Sequence, residues 1–353
     1  MFNNHLSHTS INYYEGIEEL LFFINNKINS ESFYIVDKKV YEIYKDSFFS
    51  KIINYSDNNS FIITDGEKSK NLVTVENILA KMLKIGIKTD AVVFGIGGGV
   101  TLDISGLVSS LYHRGISYVS VPTTLLACVD AGVGGKNGVD YIYKNSIGSY
   151  YNPSYYAVCK SFLASLDKKT LHEGLVEIIK IALLLDKKMF YEIYYYIINK
   201  YKSDDNSNED LYLYPEWEVY YNCFVKKAIS LKLKIVNKDY YGNNLRNILN
   251  LGHTYGHAYE KCSNFLITHG EAVALGILKI LEISTNLEVL KNDKLYNEVT
   301  TLFQLLDLVK YKDTFDNDEI IKYLPQDKKN SSNGLNLILL KDIEKYVIKS
   351  VKI

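Results

Sequence analysis

Apolar residues in the first half of the chain fall into short uninterrupted runs, the pattern of strands that are buried on both faces. Four such runs are SFYIVD, SFIITDGE, DAVVFGIGGG and ISYVSVPTT, at residues 32–37, 60–67, 90–99 and 116–124. Between the second and the third, residues 71–87 carry apolar side chains at helical spacing. Alternation of strands and helices is typical of a parallel sheet covered by helices. We therefore predict an α/β domain over residues 1–160.

The second half of the chain has a different periodicity. From residue 161 to about residue 326 amphipathic helical patterns replace the strand-like runs, as in LVEIIKIALLLDKKMFYEIYYYI at 175–197. One polar, acidic stretch, YKSDDNSNEDLYLYPEW at 201–217, predicts a solvated loop. The pattern as a whole predicts an all-α domain over residues 161–353, with a ligand cleft between the two domains.

Composition and charge narrow the classes of function. The 353 residues suffice for about two domains, and 40 Lys+Arg against 41 Asp+Glu give a formal net charge of −1. Such a balanced chain has no basic field, so we expect no nucleic-acid partner. No apolar run approaches the roughly 18 residues of a membrane span, and the start MFNNHLSHTS does not resemble a signal peptide. The four cysteines lack CxxC spacing, which predicts buried free thiols and a cytoplasmic location.

A glycine run is the first motif with chemical meaning. Gly97, Gly98 and Gly99 end a predicted strand, and a helix is expected from about Thr101. Glycines allow backbone N–H groups to approach a diphosphate at a helix N-terminus, although the same turn also serves tight strand–helix packing. The run departs from GxGxxG, so it does not indicate an ordinary Rossmann dehydrogenase. Acidic residues that follow two other strands are candidates for ribose hydroxyls, namely Asp37 and Glu67.

A second motif extends over residues 112–153, YHRGISYVSVPTTLLACVDAGVGGKNGVDYIYKNSIGSYYNP. It places cations, hydroxyls and amides among glycines, beside an apolar strand: Arg114, Thr123, Thr124, Asp130, Lys136, Lys144 and Asn145. Unpaired charges beside a buried strand are costly, so this density favours an anionic or polyhydroxyl ligand. The alternative is a surface loop with solvated charges.

Three histidines form the third motif. His253 and His257 are four residues apart in LNLGHTYGHAYE, and His269 follows in THGEAVALGI. Histidines at i and i+4 share one helical face, which is a common arrangement for a metal. Spacing alone therefore predicts His253 and His257 as a ligand pair, while divided roles or a purely structural role stay open.

Six blocks together, in this order, resemble the sugar-phosphate cyclases and especially the 3-dehydroquinate synthase family. They are GGGVTLD, RGISYVSVPTTLLACVDAGVGGK, KNSIG, GLVEIIK, RNILNLGHTYGHAYE and HGEAVALG, within about residues 30–345. The resemblance implies a Rossmann-like NAD-binding α/β domain followed by a helical metal-binding domain, and a homodimer. It implies Zn²⁺, for which Co²⁺ can substitute. It also implies a lyase of the shikimate pathway.

The reaction that the resemblance implies converts 3-deoxy-D-arabino-heptulosonate 7-phosphate into 3-dehydroquinate and phosphate. Its steps would be transient oxidation by NAD, phosphate elimination, reduction and intramolecular aldol closure. The same resemblance makes Glu177, His253 and His269 the metal ligands, with His257 facing the phosphate end of the substrate. That assignment replaces the ligand pair expected from spacing alone, and it leaves the open coordination positions that a catalytic metal requires.

Residue roles for substrate and cofactor also follow from the matching positions. The substrate's phosphate is assigned to Asn145, Lys180, Asn250, His257 and Lys328, with Arg114 contributed by the partner subunit. The carboxylate end is assigned to Lys232 and Arg246. Asp130 and Lys136 are expected near the nicotinamide and, with Lys180 and His257, to be catalytic. The remaining nucleotide contacts are expected at Asp37, Glu67, Lys70, Gly98, Gly99, Val100, Asp103, Thr123, Thr124 and Lys144.

One departure keeps a second substrate open. Where the family usually has two serines after the aspartate, this chain has Asp130-Ala131-Gly132. That variation resembles cyclitol-forming relatives that act on sedoheptulose 7-phosphate, such as 2-epi-5-epi-valiolone synthase. Lys232 and Arg246 favour a substrate with a carboxylate instead. A metal-dependent polyol dehydrogenase and a catalytically inactive binding module are less favoured, because the phosphate blocks and all metal ligands are present.

Overall fold

The computed structural model describes residues 9–27, 31–202, 215–292, 294–324 and 335–351. Most of the loop predicted at 201–217 lies outside the described residues, as does Lys328. The chain divides into two compact units, with the boundary between Asp167 and Lys168. Within the described ranges, no helix combines the length and the apolar character that crossing a membrane requires.

The first unit is built on a six-stranded parallel sheet, as the alternating pattern predicted. Its strands, in the spatial order β1-β8-β5-β4-β2-β3, are β1 Ser10–Tyr14, β8 Tyr155–Cys159, β5 Ser117–Pro122, β4 Val92–Gly97, β2 Ser32–Asp37 and β3 Ser60–Ile63. The four predicted runs are β2 to β5. The sequence pattern did not indicate β1, whose residues are mostly half-buried at the sheet edge and so form no fully apolar run. A short antiparallel hairpin accompanies the sheet, β6 Lys136–Val139 and β7 Ile147–Tyr150.

Helices cover both faces of this sheet. They are α1 Ile17–Lys27, α2 Lys38–Tyr44, α3 Leu72–Ile85, α4 Gly99–Leu111 and the short α5 Lys160–Leu163. Alternate residues of β2 enter different cores: Tyr34 and Val36 pack in one cluster, Phe33 and Ile35 in the other. Because both faces are buried, the strand needs apolar residues at every position, which explains the uninterrupted runs in the sequence.

The strand order creates one place suited to a ligand. β2 pairs with β3 on one side and with β4 on the other, so the winding of the chain changes direction between β2 and β4. These strands end at Asp37 and Gly97, and a Cβ at Gly97 would lie 3.0 Å from the Cβ of Asp37. In open α/β sheets, ligands bind outside the carboxyl ends of strands at such a switch point.

The second unit is mainly helical. Its helices are α6 Lys168–Leu185, α7 Lys187–Lys202, α8 Pro215–Lys238, α9 His253–Cys262, α10 His269–Asn286, α11 Leu295–Leu305 and α12 Asn317–Tyr323. The prediction of an all-α domain was wrong at the C-terminal end, where β9 Leu335–Asp342 and β10 Lys345–Val351 form an antiparallel hairpin. The hairpin packs on α10, where Ser284 Oγ accepts a hydrogen bond from the N–H of Leu340. This packing buries the apolar residues of β9, which the helical periodicity of the preceding chain did not indicate.

Two helices of this unit, α6 and α10, are buried on almost all sides. Such helices are apolar around their whole circumference, so each ionisable residue on them requires a compensating partner. Glu177 and Lys180 on α6 and Glu271 on α10 are each 1% exposed. The partners of these buried residues are therefore expected where α10 packs on α6 and α9.

The cysteines only partly follow the prediction. All four are free thiols, as expected. Cys128 and Cys159 are buried, whereas Cys223 is exposed and Cys262 half-buried, so the expectation that all are buried was wrong. Burial raises the pKa of Cys159, so its thiol is unreactive at neutral pH.

Candidate active site

Three residues from three helices form a cluster suited to a metal ion. Glu177 lies on α6, His253 begins α9 and His269 begins α10. One ligand atom from each lies within 4.8 Å of the others, and Nε2 of His253 is 3.7 Å from Oε1 of Glu177. Residues 92 positions apart in sequence, Glu177 and His269, are thus brought together by helix packing.

Close packing of α9 on α10 depends on glycine. Gly252 precedes α9 with φ +79°, and a Cβ there would lie 2.6 Å from Cγ1 of Ile277. On the other side of the contact, a Cβ at Gly276 would lie 2.0 Å from the carbonyl oxygen of Gly252. Because neither glycine has a side chain, the two helices approach closely enough for His253 and His269 to meet.

The ring nitrogens of the two histidines are oriented by different acceptors. Nδ1 of His253 lies 3.1 Å from the carbonyl oxygen of Leu251, and Nδ1 of His269 lies 3.1 Å from Oε1 of Glu260. A histidine whose Nδ1–H donates to an oxygen has Nε2 available as a ligand. For His253 the nitrogen toward Glu177 is indeed Nε2.

The cluster meets the requirements of a divalent metal. Oε1 of Glu177 is buried and has no hydrogen-bond partner in the part of the chain that the structure describes. A buried carboxylate oxygen without a partner is costly, and a cation would satisfy it. Two imidazoles and one carboxylate form a donor set typical of catalytic zinc, with coordination positions left for substrate.

His257 lies beside this cluster but is not one of its three members. Its ring centroid is 5.7 Å from that of His253 and 6.5 Å from that of His269. His253 and His257, the ligand pair expected from i,i+4 spacing, are therefore neighbours on α9. The second imidazole of the cluster is instead that of His269, on α10. Half-buried at the edge of the cluster, His257 is close enough to contact a ligand held there.

A buried cation compensates the carboxylate. Lys180 follows Glu177 by one helical turn on α6, and its Nζ contacts Oε2 of Glu177. The lysine side chain is 2% exposed. An ammonium group held in such an apolar helix stabilises the ionised carboxylate and is positioned beside the same cluster.

Two further buried cations belong to the helical unit. Lys232 on α8 and Arg246 on the 3₁₀ turn Leu245–Asn250 are each 5% exposed. Nη1 of Arg246 donates to the carbonyl oxygen of Tyr240 at 2.6 Å. At the end of the same turn, Nδ2 of Asn250 donates to the carbonyl oxygen of Asn247 at 2.8 Å.

Asp239, which no sequence motif indicated, positions this turn. Its carboxylate accepts backbone N–H bonds of 2.8–3.1 Å from Gly242, Asn243, Asn244 and Arg246. Burial raises the pKa of Asp239, but the four donors outweigh it and hold the pKa below its usual value. The DYYGNN sequence after α8 is the turn-forming pattern that could have indicated it.

The glycine turn of the first unit lies at the switch point of the sheet. Gly98 is the N-cap of α4, so the helix begins at Gly99, slightly earlier than expected. A Cβ at Gly97 would lie 2.7 Å from that of Thr101, so this glycine is required for packing. Gly98 is half-buried, and a Cβ there would meet only Thr124, at 3.4 Å. The turn thus combines both roles, with Gly98 on its accessible side.

Thr123 adjoins the glycine turn. Its backbone N–H donates to the carbonyl oxygen of Gly97 at 3.0 Å, joining the ends of β4 and β5. Its Oγ1 is buried and has no hydrogen-bond partner among the described residues. A buried hydroxyl without a partner at a switch point suits a polar ligand that supplies one.

A buried ion pair lies close by. Nζ of Lys70 is 2.7 Å from Oδ2 of Asp103, and both side chains are largely buried. Burial raises the pKa of Asp103 to about 6, against the opposing effect of Lys70, and nearby Asp130 raises it further. Burial lowers the pKa of Lys70, but Asp103 and Glu67 more than reverse that effect. A second, more exposed pair joins Lys144 Nζ to Glu67 Oε1 at 3.5 Å.

The loop between β6 and β7 is held by Asp140. Oδ1 of Asp140 accepts from the N–H of Asn145 at 2.6 Å, and its own N–H donates to the carbonyl oxygen of Lys70 at 2.8 Å. Asn145 has φ +52°, a conformation that asparagine tolerates better than most residues. Asp140 thereby connects the loop that carries Lys144 and Asn145 to the Lys70–Asp103 pair.

The predicted site residues lie in both units. Arg114 is exposed on a 3₁₀ turn with φ +69°, Asp130 lies in a single π-helical turn, Ala127–Ala131, and Lys136 is exposed at the start of β6. Asp37 accepts hydrogen bonds from Lys39 N and Val40 N as the N-cap of α2. The first unit holds Asp37, Glu67, Lys70, Gly98, Gly99, Val100, Asp103, Arg114, Thr123, Thr124, Asp130, Lys136, Lys144 and Asn145. The second holds Glu177, Lys180, Lys232, Arg246, Asn250, His253, His257 and His269.

Solved structures with the same fold include two sugar-phosphate cyclases. One is ValA, a 2-epi-5-epi-valiolone synthase from Streptomyces hygroscopicus subsp. jinggangensis 5008 with NAD+ and Zn2+ bound: TM-score 0.81, 23% identity, 98% of this chain and 93% of that chain covered. The other is a 2-deoxy-scyllo-inosose synthase complexed with carbaglucose-6-phosphate, NAD+ and Co2+: TM-score 0.78, 24% identity, 97% and 93% covered. Both have a fold like that of this chain.

Sequence comparison identifies the family. The model described as 3-dehydroquinate synthase N-terminal matches residues 60–173, and the one described as 3-dehydroquinate synthase C-terminal matches residues 174–330. A 3-dehydroquinate synthase of Clostridium tetani (strain Massachusetts / E88) is 40% identical over 326 residues, 92% of this chain and 83% of that protein. On these matches, which include both halves of the chain, it belongs to the 3-dehydroquinate synthase family.

Proposed function

We propose that this chain converts 3-deoxy-D-arabino-heptulosonate 7-phosphate into 3-dehydroquinate and phosphate, as a lyase that depends on NAD and a divalent metal. The observation that carries the proposal is the Glu177–His253–His269 cluster in the helical unit of a member of this family. Identity of 40% to a protein named 3-dehydroquinate synthase supports the substrate. The metal would be held by these three side chains, as Zn²⁺ or Co²⁺, the ions named in the two related cyclase structures.

The glycine turn suits the dinucleotide. At the N-terminus of α4, Gly98, Gly99 and Val100 would present backbone N–H groups and the positive end of the helix to a diphosphate. The buried Oγ1 of Thr123 would gain a polar partner there. The other cofactor contacts we propose are Asp37, Glu67, Lys70, Asp103, Thr124, Asp130, Lys136 and Lys144.

Positioning is the main work of the protein side chains. When bound, NAD would accept a hydride from a substrate alcohol and later return it, and the metal would lower the pKa of that alcohol. Lys180, Asn250 and His257 would surround the phosphate. Asn145 and Lys328 would join them, as would Arg114 of the partner subunit. Holding both anionic ends lets the substrate's own groups react in one geometry, which is worth several kcal/mol.

The carboxylate end of the substrate would be bound by Lys232 and Arg246. Both cations are buried, each 5% exposed, and the guanidinium of Arg246 has the bidentate geometry that suits a carboxylate. His257, half-buried at the phosphate end, would serve as a contact or proton relay. Asp130 and Lys136 would act near the nicotinamide and the reacting hydroxyls.

Assembly and location complete the proposal. We expect a homodimer, as the resemblance to the family implies, and the residue it assigns to the partner's site, Arg114, lies on an exposed turn. A cytoplasmic location is expected from the four free thiols, since a reducing compartment preserves them.

A second candidate substrate is sedoheptulose 7-phosphate. A Cβ at Gly99 would lie 3.1 Å from the Cβ of Ala131, so the residue that departs from the family pattern packs directly on the glycine turn. The resemblance of the Asp130-Ala131-Gly132 sequence to cyclitol-forming relatives favours this substrate. The carboxylate-binding pair favours the heptulosonate phosphate, and we rank it first for that reason.

The deciding experiment offers both sugar phosphates to the purified protein and measures inorganic phosphate and carbocyclic product. We expect turnover of the heptulosonate phosphate, with NAD required but not consumed, because the hydride is returned. Preference for sedoheptulose 7-phosphate would make the chain a cyclitol synthase. A net rise in NADH absorbance that matches product formation would instead identify a dehydrogenase.

A further inference from the structure

One buried carboxylate beside the metal cluster is not among the residues assigned above to the metal, the substrate or the cofactor. Glu260, on α9, is 3% exposed, and its Oε1 lies 3.1 Å from Nδ1 of His269 on α10. Removing a carboxylate from water is expensive unless hydrogen-bond donors or charges compensate it. The contact with His269 therefore compensates this buried carboxylate. It also links α9, which carries His253, to α10, which carries His269.

The contact determines how His269 can bind a metal. With Nδ1 next to a carboxylate oxygen, Nδ1 carries the proton and donates it, and Nε2 has the lone pair. His253 follows the same rule, but its Nδ1 faces the neutral carbonyl oxygen of Leu251. The two imidazoles thus differ, since an anionic acceptor makes its histidine the stronger electron donor.

We propose that Glu260 is a positioning residue that fixes the orientation and tautomer of His269 and strengthens it as a metal ligand. This inference rests on the proposed metal site at Glu177, His253 and His269. Spacing agrees with it, because His253, His257 and Glu260 lie on one face of α9 at i, i+4 and i+7. The face that supplies a ligand to the cluster thus also supplies the group that orients the ligand on α10.

The test compares zinc affinity in native protein, Glu260→Ala and Glu260→Gln, by competition with a chromophoric chelator. Loss of an outer-shell partner typically weakens metal binding about 10–100-fold, and we expect that loss for Glu260→Ala. The Gln side chain retains an oxygen that accepts from Nδ1 but has no charge. Its affinity should lie between those of native protein and the Ala variant, so that Gln partly rescues binding.

A spectroscopic measurement separates ligand orientation from general destabilisation. Cobalt-substituted native protein and variants should differ in their visible absorption bands, because a reoriented His269 changes the coordination geometry. The control is Glu282→Gln on α10, a carboxylate whose side chain is 45% exposed and which pairs with Lys279 at 3.0 Å. It should leave both zinc affinity and the cobalt spectrum unchanged.

Each outcome decides the proposal. Native zinc affinity and a native cobalt spectrum in folded Glu260→Ala would overturn the role of Glu260. If the Ala variant does not fold, Glu260→Gln decides: weaker zinc binding supports the role, and native binding overturns it. If native protein itself binds neither metal, the proposed metal site fails and this inference fails with it, which is distinguishable from the other results.

Discussion

The two units hold their candidate ligands in different ways. In the α/β unit, the glycine turn at Gly98 and the buried hydroxyl of Thr123 lie where parallel strands end, and much of the expected binding comes from backbone groups. In the helical unit, side chains form the cluster: Glu177 lies within α6, and His253 and His269 are the first residues of α9 and α10. Backbone N–H groups at a helix N-terminus suit an anion such as a diphosphate, whereas a metal cation requires imidazole and carboxylate ligands, which only side chains supply.

This difference has consequences for substitution. A side chain that supplies a ligand atom is lost completely in an alanine variant, so changes in the helical cluster should have large effects. Backbone N–H groups persist in most variants, so effects at the glycine turn should be smaller and mainly steric. Four experiments follow, beginning with the largest expected effect; three test this contrast directly, and one tests a buried side chain of the helical unit.

Removing one metal ligand should abolish activity. We expect His253→Ala to lose zinc on dialysis, with affinity reduced by more than the roughly 100-fold upper range seen for outer-shell changes. Metal content by mass spectrometry and phosphate release measure the two effects. In native protein, chelation should stop turnover and zinc or cobalt should restore it.

The matched control is His257→Ala, on the same face of α9. It should retain zinc while losing rate, because its ring lies beside the cluster but is not a member of it. If His257→Ala loses its zinc instead, the i,i+4 pair is the true ligand set.

Removing the proposed carboxylate contact should have the next largest effect. Arg246→Ala should cost about 2–5 kcal/mol of binding to the heptulosonate phosphate, since a charge-assisted contact in a buried site is lost. Steady-state kinetics with sedoheptulose 7-phosphate should change little, because that substrate has no carboxylate. Lys238→Ala, an exposed cation at the end of α8, serves as the control. Equal losses for both substrates would contradict the assignment.

The stability of the helical unit should depend on pH through a buried histidine. His172 on α6 is 2% exposed, with Nδ1 2.8 Å from the carbonyl oxygen of Leu306 and, among the described residues, no partner for Nε2. Burial lowers the pKa of His172 from 6.5 to about 4; Lys168 and Lys200 also lower it, while Leu306 and Asp307 raise it. As the pH falls, the unfolded chain takes up a proton on His172 before the folded chain does. The stabilising contribution of the neutral, buried imidazole is therefore complete above about pH 6.5 and is lost as the pH falls toward 4.

The expected loss in the free energy of unfolding is about 2 kcal/mol at pH 5 and about 3 kcal/mol at pH 4 and below. Urea denaturation of native protein and His172→Gln from pH 7 to pH 4 measures it. The variant should show a shallower decline, because Gln does not titrate. Parallel curves for the two proteins would mean that other groups cause the pH dependence.

The smallest effect is expected at the glycine turn. Gly98→Ala should fold normally, because φ is −76° and the added methyl meets only Thr124, at 3.4 Å. The methyl would occupy the approach to the N-terminus of α4, so we expect NAD affinity to fall roughly tenfold, about 1.4 kcal/mol. Calorimetric titration with NAD measures this.

Gly97→Ala gives the complementary result. Its methyl would lie 2.7 Å from the Cβ of Thr101, so it should lower stability by about 1–3 kcal/mol in thermal or urea unfolding. If Gly98→Ala leaves NAD affinity unchanged, the turn serves packing alone.

Sequence patterns predicted those parts of the fold in which local periodicity and burial agree. The central strands β2 to β5 followed from uninterrupted apolar runs, because strands covered on both faces tolerate few polar residues. The edge strand β1 and the hairpin β9–β10 did not follow, because their apolar residues become buried only against neighbours that are distant in the chain.

The sequence by itself determined the family and the identity of the candidate ligands, because motifs such as HGEAVALG preserve residue type and order. Only the tertiary structure decided which atoms meet. The packing of α6, α9 and α10 brings Glu177, His253 and His269 together and leaves His257 beside them. It also gives Glu260 its role, because this carboxylate becomes a positioning group only when folding buries it against His269. Such proximity depends on the whole fold, which local spacing does not encode.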